Sequence, residues 1–574
     1  MRLSHLIAIS YIALAEGFLS KISQQIPSGG LTDFALHGTA TTTNINTCDV
    51  AIFGGGFGGL YSALSLSREA QKKGKKLDIA IVDPSTQFVF LPLLYDLTVG
   101  TATSAEVCPT YKDILKGTGV RHIQASLDCF TSDDFQSATL FLCNHNNEIS
   151  NNSTKLELSF RSSILAVGSS PESTLASVPG ATENVQPFYT QKDAKETSRI
   201  LEDLEDQAIG SMPKTSPPKI AIVGGGYGGV ELAACIKRRI PESKVRLLTR
   251  GPPMKGTRAE QLVDKALLKL GVEVELSSVQ EITKGEEGND IFVKRKLVNA
   301  GDDDNDEEND KISKEPWSVV FWTAGAGPSS PVSGDMDGLL KSDSGRLAVE
   351  STLRCISNNQ QSSASSSFPK RNSVWALGDC AEILVNKEYA GVVVPATPKT
   401  AQAAMQQADI VAQNVLAELT VNSEAASKEF QYQDLGTMLS LGGPNAAVMA
   451  PIEESPLAPV FKPLLDTARL GFGFADEAFV NLSKSPLVAT LGLSPVVDSI
   501  ETLGLSLGGY GLGVDSDTSP GTLSGTLTGA ARRALYAVRM PTNKQRATAA
   551  ASAAISTAAA LAKEAAQNLE KQQQ

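Results

Sequence analysis

Two short stretches carry the residues whose types and spacing suit chemistry. AIFGGGFGGLYSA (51–63) and AIVGGGYGGVELA (221–233) each set three glycines in a Gly-x-Gly-x-x-Gly spacing behind an apolar run. In such a turn Gly54 permits the tight bend and Gly56 lets the backbone approach a pyrophosphate. Gly59 lets the following helix pack closely on the strand. The phosphates then lie at the helix N-terminus, where free N–H groups and the helix dipole favour negative charge. Asp83, 24 residues after Gly59, ends the next apolar run and is placed to accept hydrogen bonds from ribose hydroxyls. The second copy uses Gly224, Gly226 and Gly229 but ends its next run on Thr249 and Arg250, with no carboxylate. A carboxylate repels a 2′-phosphate, whereas Thr and Arg can hold one. The expected donor at this second site is therefore NADPH in preference to NADH. The alternative is that Arg250 faces solvent and both nucleotides serve.

These turns need strands and helices to position them, and the text supplies both. CDVAIF, the glycine turn, the amphipathic LYSALSLSREAQKKG and the apolar LDIAIVD read as strand, turn, helix and strand. KIAIV, the second turn, VELAACIKRRI and KVRLLTR repeat the order, and SSILAVG (162–168) and SVVFWTAG (318–325) are further buried-strand candidates. Strands alternating with helices predict an α/β fold of parallel sheets covered on both faces. Two dinucleotide clefts in one chain suggest one resident cofactor and one visiting one.

Composition narrows the rest. With 574 residues, 41% hydrophobic, the chain is long enough for several domains. A net charge of −12 argues against a nucleic-acid partner. The seven cysteines form no Cys-x-x-Cys pair and the four histidines make no cluster, so neither a metal site nor a dithiol centre is expected. No later apolar run reaches the ~18 residues of a membrane-spanning helix. Residues 1–46 read as a targeting leader: Arg2 precedes the apolar run Leu6 to Ala15, and a Ser/Thr-rich stretch follows. Such a two-part leader is similar to those that route proteins into secondary plastids, so a plastid is the expected address and a mitochondrion the second. GDDDNDEEND (301–310) and SNNQQSSASSS (357–367) read as solvated loops, 455–530 as a Leu/Gly/Ser/Pro-rich insertion, and the chain from Ala547 as an alanine-rich helix or tail.

Together these residues resemble the two-dinucleotide-binding flavoprotein superfamily, and within it the type II NAD(P)H:quinone dehydrogenases. FVFLPLLYDLTVG (88–100) looks like the family's segment beside the flavin, VELAA (230–234) sets Glu231 after the second turn, and WTAG (322–325) is its strand end. AQAAMQQA (401–408) is similar to its glutamine helix, and ARRALYAVRMPTNKQR (531–546) to the C-terminal segment of the plastid and cyanobacterial branch. The resemblance implies two Rossmann-like domains, with FAD in the first cleft and NADPH or NADH visiting the second. FAD contacts are then expected at Pro92, Leu93 and Gly168, and at Gly378 and Asp379 of SVWALGDCAE, with Gly325 of WTAG a further cofactor-binding position. It further implies catalytic parts for Glu231, which would position the nicotinamide or tune the flavin, and for Gln402 and Gln406, one helical turn apart, beside the quinone headgroup. For Glu231 a helix-capping part stays open, as does a bland hydrogen-bonded helix face for the glutamines. The implied organisation is 47–200 and 340–450 for FAD, 215–335 for NAD(P)H, and 451–574 for a C-terminal membrane-associating region. There Arg532, Arg533, Arg539, Lys544 and Arg546 interleave with Leu535, Tyr536, Val538 and Met540, a pattern able to lie on an anionic membrane; a solvated helix packed on its own domain stays open. The acceptor is a membrane quinone of plastoquinone, demethylphylloquinone or ubiquinone type, and a homodimer stays open. The rival readings are a soluble reductase of a ferredoxin-like carrier and a redox-sensing protein that binds FAD and NAD(P)H without turnover.

Overall fold

The computed structural model describes residues 47–573 apart from 132–133, 144–153, 210–216, 258, 286–289, 299–314, 330–331, 333–335, 337, 358–371, 385–396, 422–426, 435, 443–445, 450–512 and 515–521. The leader, the acidic loop, nearly all of the Ser-rich loop and most of the 455–530 insertion lie outside the described residues.

The first apolar run forms β1 (Thr47–Phe53), the glycine turn opens α1 (Phe57–Lys72), and β2 (Ile79–Val82) returns parallel to β1. Val50 to Phe53 and Ile79 to Val82 are all buried, as continuous apolar strands between two helical layers must be. β3 (Val120–Ile123) extends the parallel sheet on β2, while β4 (Ala125–Phe130) and β5 (Ser137–Leu142) form an antiparallel hairpin. β6 (Lys155–Leu165) joins the two: it runs parallel to β1, and its first half pairs antiparallel with β5. Between β2 and β3 the FVFLPLLYDLTVG segment forms a tight turn at Leu91–Leu93 and a short α2 (Leu94–Thr98).

The second sheet repeats the plan. β7 (Gln186–Pro187) and α3 (Gln191–Ile209) lead into β8 (Lys219–Val223), α4 (Tyr227–Arg239) and β9 (Lys244–Thr249). After α5 (Glu260–Leu270) come β10 (Glu273–Lys284), β11 (Ile291–Leu297) and β12 (Val319–Trp322), in sheet order β11-β10-β9-β8-β12-β7. The chain then returns to the first sheet: β13 (Val374–Ala376) pairs with the second half of β6, and α6 (Ala401–Val421) packs on α1, where Ser65 donates to Asp409 Oδ1 at 2.7 Å.

A small C-terminal sheet holds β14 (Thr437–Ser440), β15 (Ala446–Met449), β16 (Gly513–Val514) and β17 (Thr522–Gly525), in order β14-β15-β17-β16. It leads into a hairpin of α7 (Thr526–Arg539) and α8 (Asn543–Gln573). Here two of the five basic residues depart from the membrane-facing expectation. Arg532 is 1% exposed and donates to Asp96 Oδ2 at 2.7 Å and to Pro92 O at 3.3 Å. Arg533 is 3% exposed and donates to Glu106 Oε1 at 2.7 Å and to Thr101 O at 2.8 Å. Tyr536 and Met540 are buried with them, and the Tyr536 ring meets Phe90 edge-on at 5.6 Å. These arginines face two buried carboxylates rather than lipid, because a buried charge is tolerated only when paired. Removing one partner of such a pair costs about 3–5 kcal/mol. Lys544 and Arg546 alone of the five are exposed. No helix of the described residues is long and apolar enough to cross a membrane.

Candidate functional site

The first turn is shaped by backbone crowding on one side and open space on the other. Gly54 has φ +95°, and a Cβ on it would lie 2.4 Å from Ala166 O, so no other residue fits. A Cβ on Gly59 would meet Gly54 O at 1.8 Å, whereas one on Gly56 would meet nothing within 4 Å. The crowded glycines hold helix to strand, and the open one leaves a cradle of the kind a pyrophosphate fills. Asp83 is part-buried: Oδ2 accepts from Gly55 N at 2.6 Å and Oδ1 from Ser85 N at 2.8 Å. Burial raises its carboxyl above the usual range, and those two N–H groups oppose the shift. Tyr111 donates its hydroxyl to Gly55 O at 2.8 Å, and its ring stacks on His122 at 4.6 Å. Burial holds the His122 imidazole below its ordinary pKa.

Of the remaining FAD-side candidates, Gly168 and Gly378 follow residues that line this turn: a Cβ on Gly54 would meet Val167 Cα at 2.8 Å, and one on Gly58 would meet Leu377 Cδ1 at 3.2 Å. Pro92 and Leu93 form the tight turn ahead of α2, and Pro92 O accepts from Arg532. Gly168 follows β6, and next to it Ser169 donates to Asp379 Oδ2 at 3.1 Å. Gly378 N donates to Gln407 Oε1 at 2.8 Å, and Arg346 donates to Asp379 O at 2.9 Å. Gln407 is a buried residue that the spacing argument passed over, although it stands beside Gln406 in the same motif. The residues present therefore fit FAD: an open phosphate cradle, an acid at the ribose position, and the Gly378–Asp379 turn on a neighbouring parallel strand.

The second turn has the same skeleton with a different closure. Gly224 has φ +122°, a Cβ on Gly229 would meet Gly224 O at 1.8 Å, and one on Gly226 would again meet nothing within 4 Å. Thr249 is buried and donates its hydroxyl to Gly251 O at 2.9 Å; Arg250 is exposed. Met254, which sequence reasoning missed, docks on the turn with its N donating to Gly225 O at 2.7 Å. Its φ of +58° is rare for a side-chain-bearing residue and is held here by burial at 3% exposure. Lys255 follows, its chain folded back along Gly251. Across the cleft Gly325 O accepts from Tyr189 Oη at 2.7 Å, and a Cβ on Gly325 would meet Thr174 Cγ2 at 2.7 Å.

The FVFLPLLYDLTVG segment touches both turns: Phe90 meets Phe57, which opens α1, edge-on at 5.2 Å, and Tyr95 of α2 reaches the second turn. A Cβ on Gly228, inside the second turn, would lie 3.3 Å from Tyr95 Oη of the FVFLPLLYDLTVG segment. Glu231 is buried here, 6% exposed, with Oε1 accepting from Ser440 N at 2.7 Å. It is the fifth residue of α4, beyond the first turn, so the capping part does not apply. Burial pushes its carboxyl up to about 8; Arg532 pulls it down, and Asp96 pushes it further up. Gln402 and Gln406 are tied to the chain before β14. Gln402 Nε2 donates to Tyr432 Oη at 3.1 Å and to Gln433 O at 3.4 Å, and Gln406 exchanges two hydrogen bonds with the Gln433 backbone, at 2.8 and 3.0 Å. Tyr432 had no local sequence signal, and the one around Arg532 pointed to lipid, since each meets its partner far along the chain.

Known proteins resemble the chain in sequence and in fold. Residues 48–408 match the pyridine nucleotide-disulphide oxidoreductase family. The chain is 30% identical over 418 residues to the alternative NAD(P)H-ubiquinone oxidoreductase C1, chloroplastic/mitochondrial, of Arabidopsis thaliana, covering 70% of this chain and 72% of that one. It is also 30% identical over 404 residues to the demethylphylloquinone reductase NdbB of Synechocystis, covering 70% of this chain and 86% of that one. In fold it is similar to NDH2 from Plasmodium falciparum, solved in complex with NADH, at TM-score 0.56 and 16% identity, over 76% of this chain and 98% of the other. With paired nucleotide turns and an acid at the first but not the second, the chain belongs to the pyridine nucleotide-disulphide oxidoreductase family, and within it to the type II NAD(P)H:quinone oxidoreductases.

Proposed function

We propose that the chain oxidises NAD(P)H, with NADPH preferred, and passes two electrons by way of FAD to a membrane quinone. The observation that carries this reading is that one segment touches both turns: its Phe90 meets Phe57 of the first at 5.2 Å, and its Tyr95 abuts the start of the second turn's helix at Gly228. Bound FAD supplies a two-electron carrier that lets a hydride donor and a quinone be served in turn. The protein's own part is positioning. Gly56 and Gly226 leave room for the two pyrophosphates, Asp83 takes ribose hydroxyls, and Arg250 beside Thr249 takes a 2′-phosphate. The buried group at Glu231, Asp96 and Arg532 fixes α2 between the clefts.

In this reading residues 47–200 and 340–450 serve FAD and 215–335 serve NAD(P)H. The C-terminal region reaches the bilayer as a peripheral element through exposed groups such as Lys544 and Arg546. The quinone is plastoquinone or a prenylated naphthoquinone, in keeping with the cyanobacterial relative's name. The Arabidopsis relative is named for both organelles, and the two-part leader favours the plastid. A soluble reductase of a ferredoxin-like carrier is the weaker reading, since an acidic carrier needs a basic docking face and two of the basic C-terminal residues are buried.

Steady-state NADPH oxidation with decyl-plastoquinone, ferredoxin and cytochrome c as separate acceptors tests the assignment. Turnover with the quinone at least about 100-fold above the protein acceptors is expected. Turnover with ferredoxin alone would select the carrier reading, and none with any acceptor the sensing one.

A further inference from the structure

The two glutamines of α6 have their amide groups occupied by the chain that follows it. Gln402 has two amide hydrogens, one directed to Tyr432 Oη and one to Gln433 O, and Gln406 forms a closed two-bond pair with the Gln433 backbone. What these amides hold in place is Tyr432. Its oxygen accepts from Gln402, and the Thr400 side chain also hydrogen-bonds to it and pulls its pKa down, as a donor to that oxygen does; the phenol then keeps its own O–H to give. The ring is half-buried, and its hydroxyl lies within electrostatic reach of Asp434, of Tyr227 in the second glycine turn and of Arg539 in the C-terminal hairpin. Tyr227 is held there in turn, its hydroxyl 3.3 Å from Thr437 Oγ1.

We infer that Tyr432 is the hydrogen-bond donor to the quinone carbonyl, and that Gln402 and Gln406 act through it as positioning residues. This rests on the quinone reading given above. A carbonyl acceptor calls for a neutral donor, because its oxygen is uncharged when bound and gains negative charge only as electrons arrive. A phenol meets that need, and burial keeps this one protonated, raising its hydroxyl to about 12. The hydrogen bond from Gln402 polarises the O–H and strengthens its donation. Tyr432 thus adds a recognition group for quinones at a position that the glutamine motif does not contain.

The experiment compares Tyr432→Phe, Gln402→Leu and the double variant in the FAD-loaded full chain, with decyl-plastoquinone and with ferricyanide, which needs no carbonyl site. Tyr432→Phe is expected to raise the quinone KM about tenfold while ferricyanide turnover, FAD content and Tm stay at the parent's values. Adding Gln402→Leu to Tyr432→Phe should change KM by less than about twofold, as for residues acting in series. An unchanged KM in Tyr432→Phe beside a raised one in Gln402→Leu would overturn the inference but leave the quinone site on α6. An unchanged quinone KM in all three would remove the quinone site from α6 as well. Equal loss with both acceptors would make Tyr432 structural and also overturn the inference.

Discussion

Asp83 and Thr249 occupy the same place in the two sheets. In the first, Phe53 pairs with Val82 and Gly54 N donates to Val82 O at 2.8 Å; in the second, Val223 pairs with Leu248 and Gly224 N donates to Leu248 O at 2.9 Å. The next residue is Asp83 in one and Thr249 in the other. Asp83 turns its carboxylate onto the glycine turn and accepts from Gly55 N, whereas Thr249 donates to Gly251 O and lies so close that a Cβ on Gly225 would meet its hydroxyl at 2.2 Å. The backbone is duplicated and the closing side chain is not. In the proposed reading one skeleton serves two ligands, a resident FAD at the first turn and a visiting NAD(P)H at the second.

The open glycines break that comparison most sharply. A Cβ at Gly56 or Gly226 touches nothing within 4 Å, so Gly56→Val and Gly226→Val should fold like the parent and lose only ligand. Gly56→Val is expected to purify colourless and inactive. Gly226→Val should stay yellow with kcat/KM for NADPH down about 100-fold. FAD content by absorbance and steady-state rates check the pair, and two colourless proteins would mean that the turns do not divide the ligands.

A smaller effect is expected at Arg250. Loss of one charge-assisted contact, ~1.5–3 kcal/mol, should lower kcat/KM for NADPH about 10- to 100-fold in Arg250→Ala and leave NADH little changed. Equal losses for both nucleotides would place Arg250 away from the 2′ position.

The smallest effect concerns the junction between the clefts. Because the folded chain raises the Glu231 carboxyl to about 8 from 4.5, it binds a proton that the unfolded chain has released between those values. This contribution to stability is fully present below about pH 4.5 and is lost as pH rises through about 8. In Glu231→Gln the fall in Tm between about pH 5 and pH 8 should therefore be smaller than in the parent, by a few degrees in thermal scans. A parallel pH profile in the two proteins would show that Glu231 is ionised throughout.

The fold and the nucleotide turns were legible because their signals are local. Apolar runs, glycine spacing and the acid after the second run all fall within one βαβ unit, and the structure places Gly54, Gly56, Gly59 and Asp83 together, and likewise Gly224, Gly226, Gly229 and Thr249. The junction was not legible, because its partners are distant in sequence. Asp96 meets Arg532 across 436 positions, Glu231 meets Ser440 across 209, and Gln402 meets Tyr432 across 30. Arg532 and Arg533 read as a membrane-facing pair because basic residues among apolar ones look alike on a lipid surface and in a protein interior that supplies carboxylates. Only the packing of α7 on the Pro92–Glu106 segment decides between them. Met254 is a similar case, since nothing in GPPMKG announces a left-handed methionine docked on the glycine turn.

The central claim is that two turns of one design hold two different nucleotides, one resident FAD and one visiting NAD(P)H. Counting FAD per chain in the purified full-length protein, then titrating it with NADPH without oxygen, tests this most directly. The account predicts one FAD per chain, its visible absorbance bleached by one equivalent of NADPH. Two FAD per chain, none, or a flavin that NADPH leaves oxidised would contradict it.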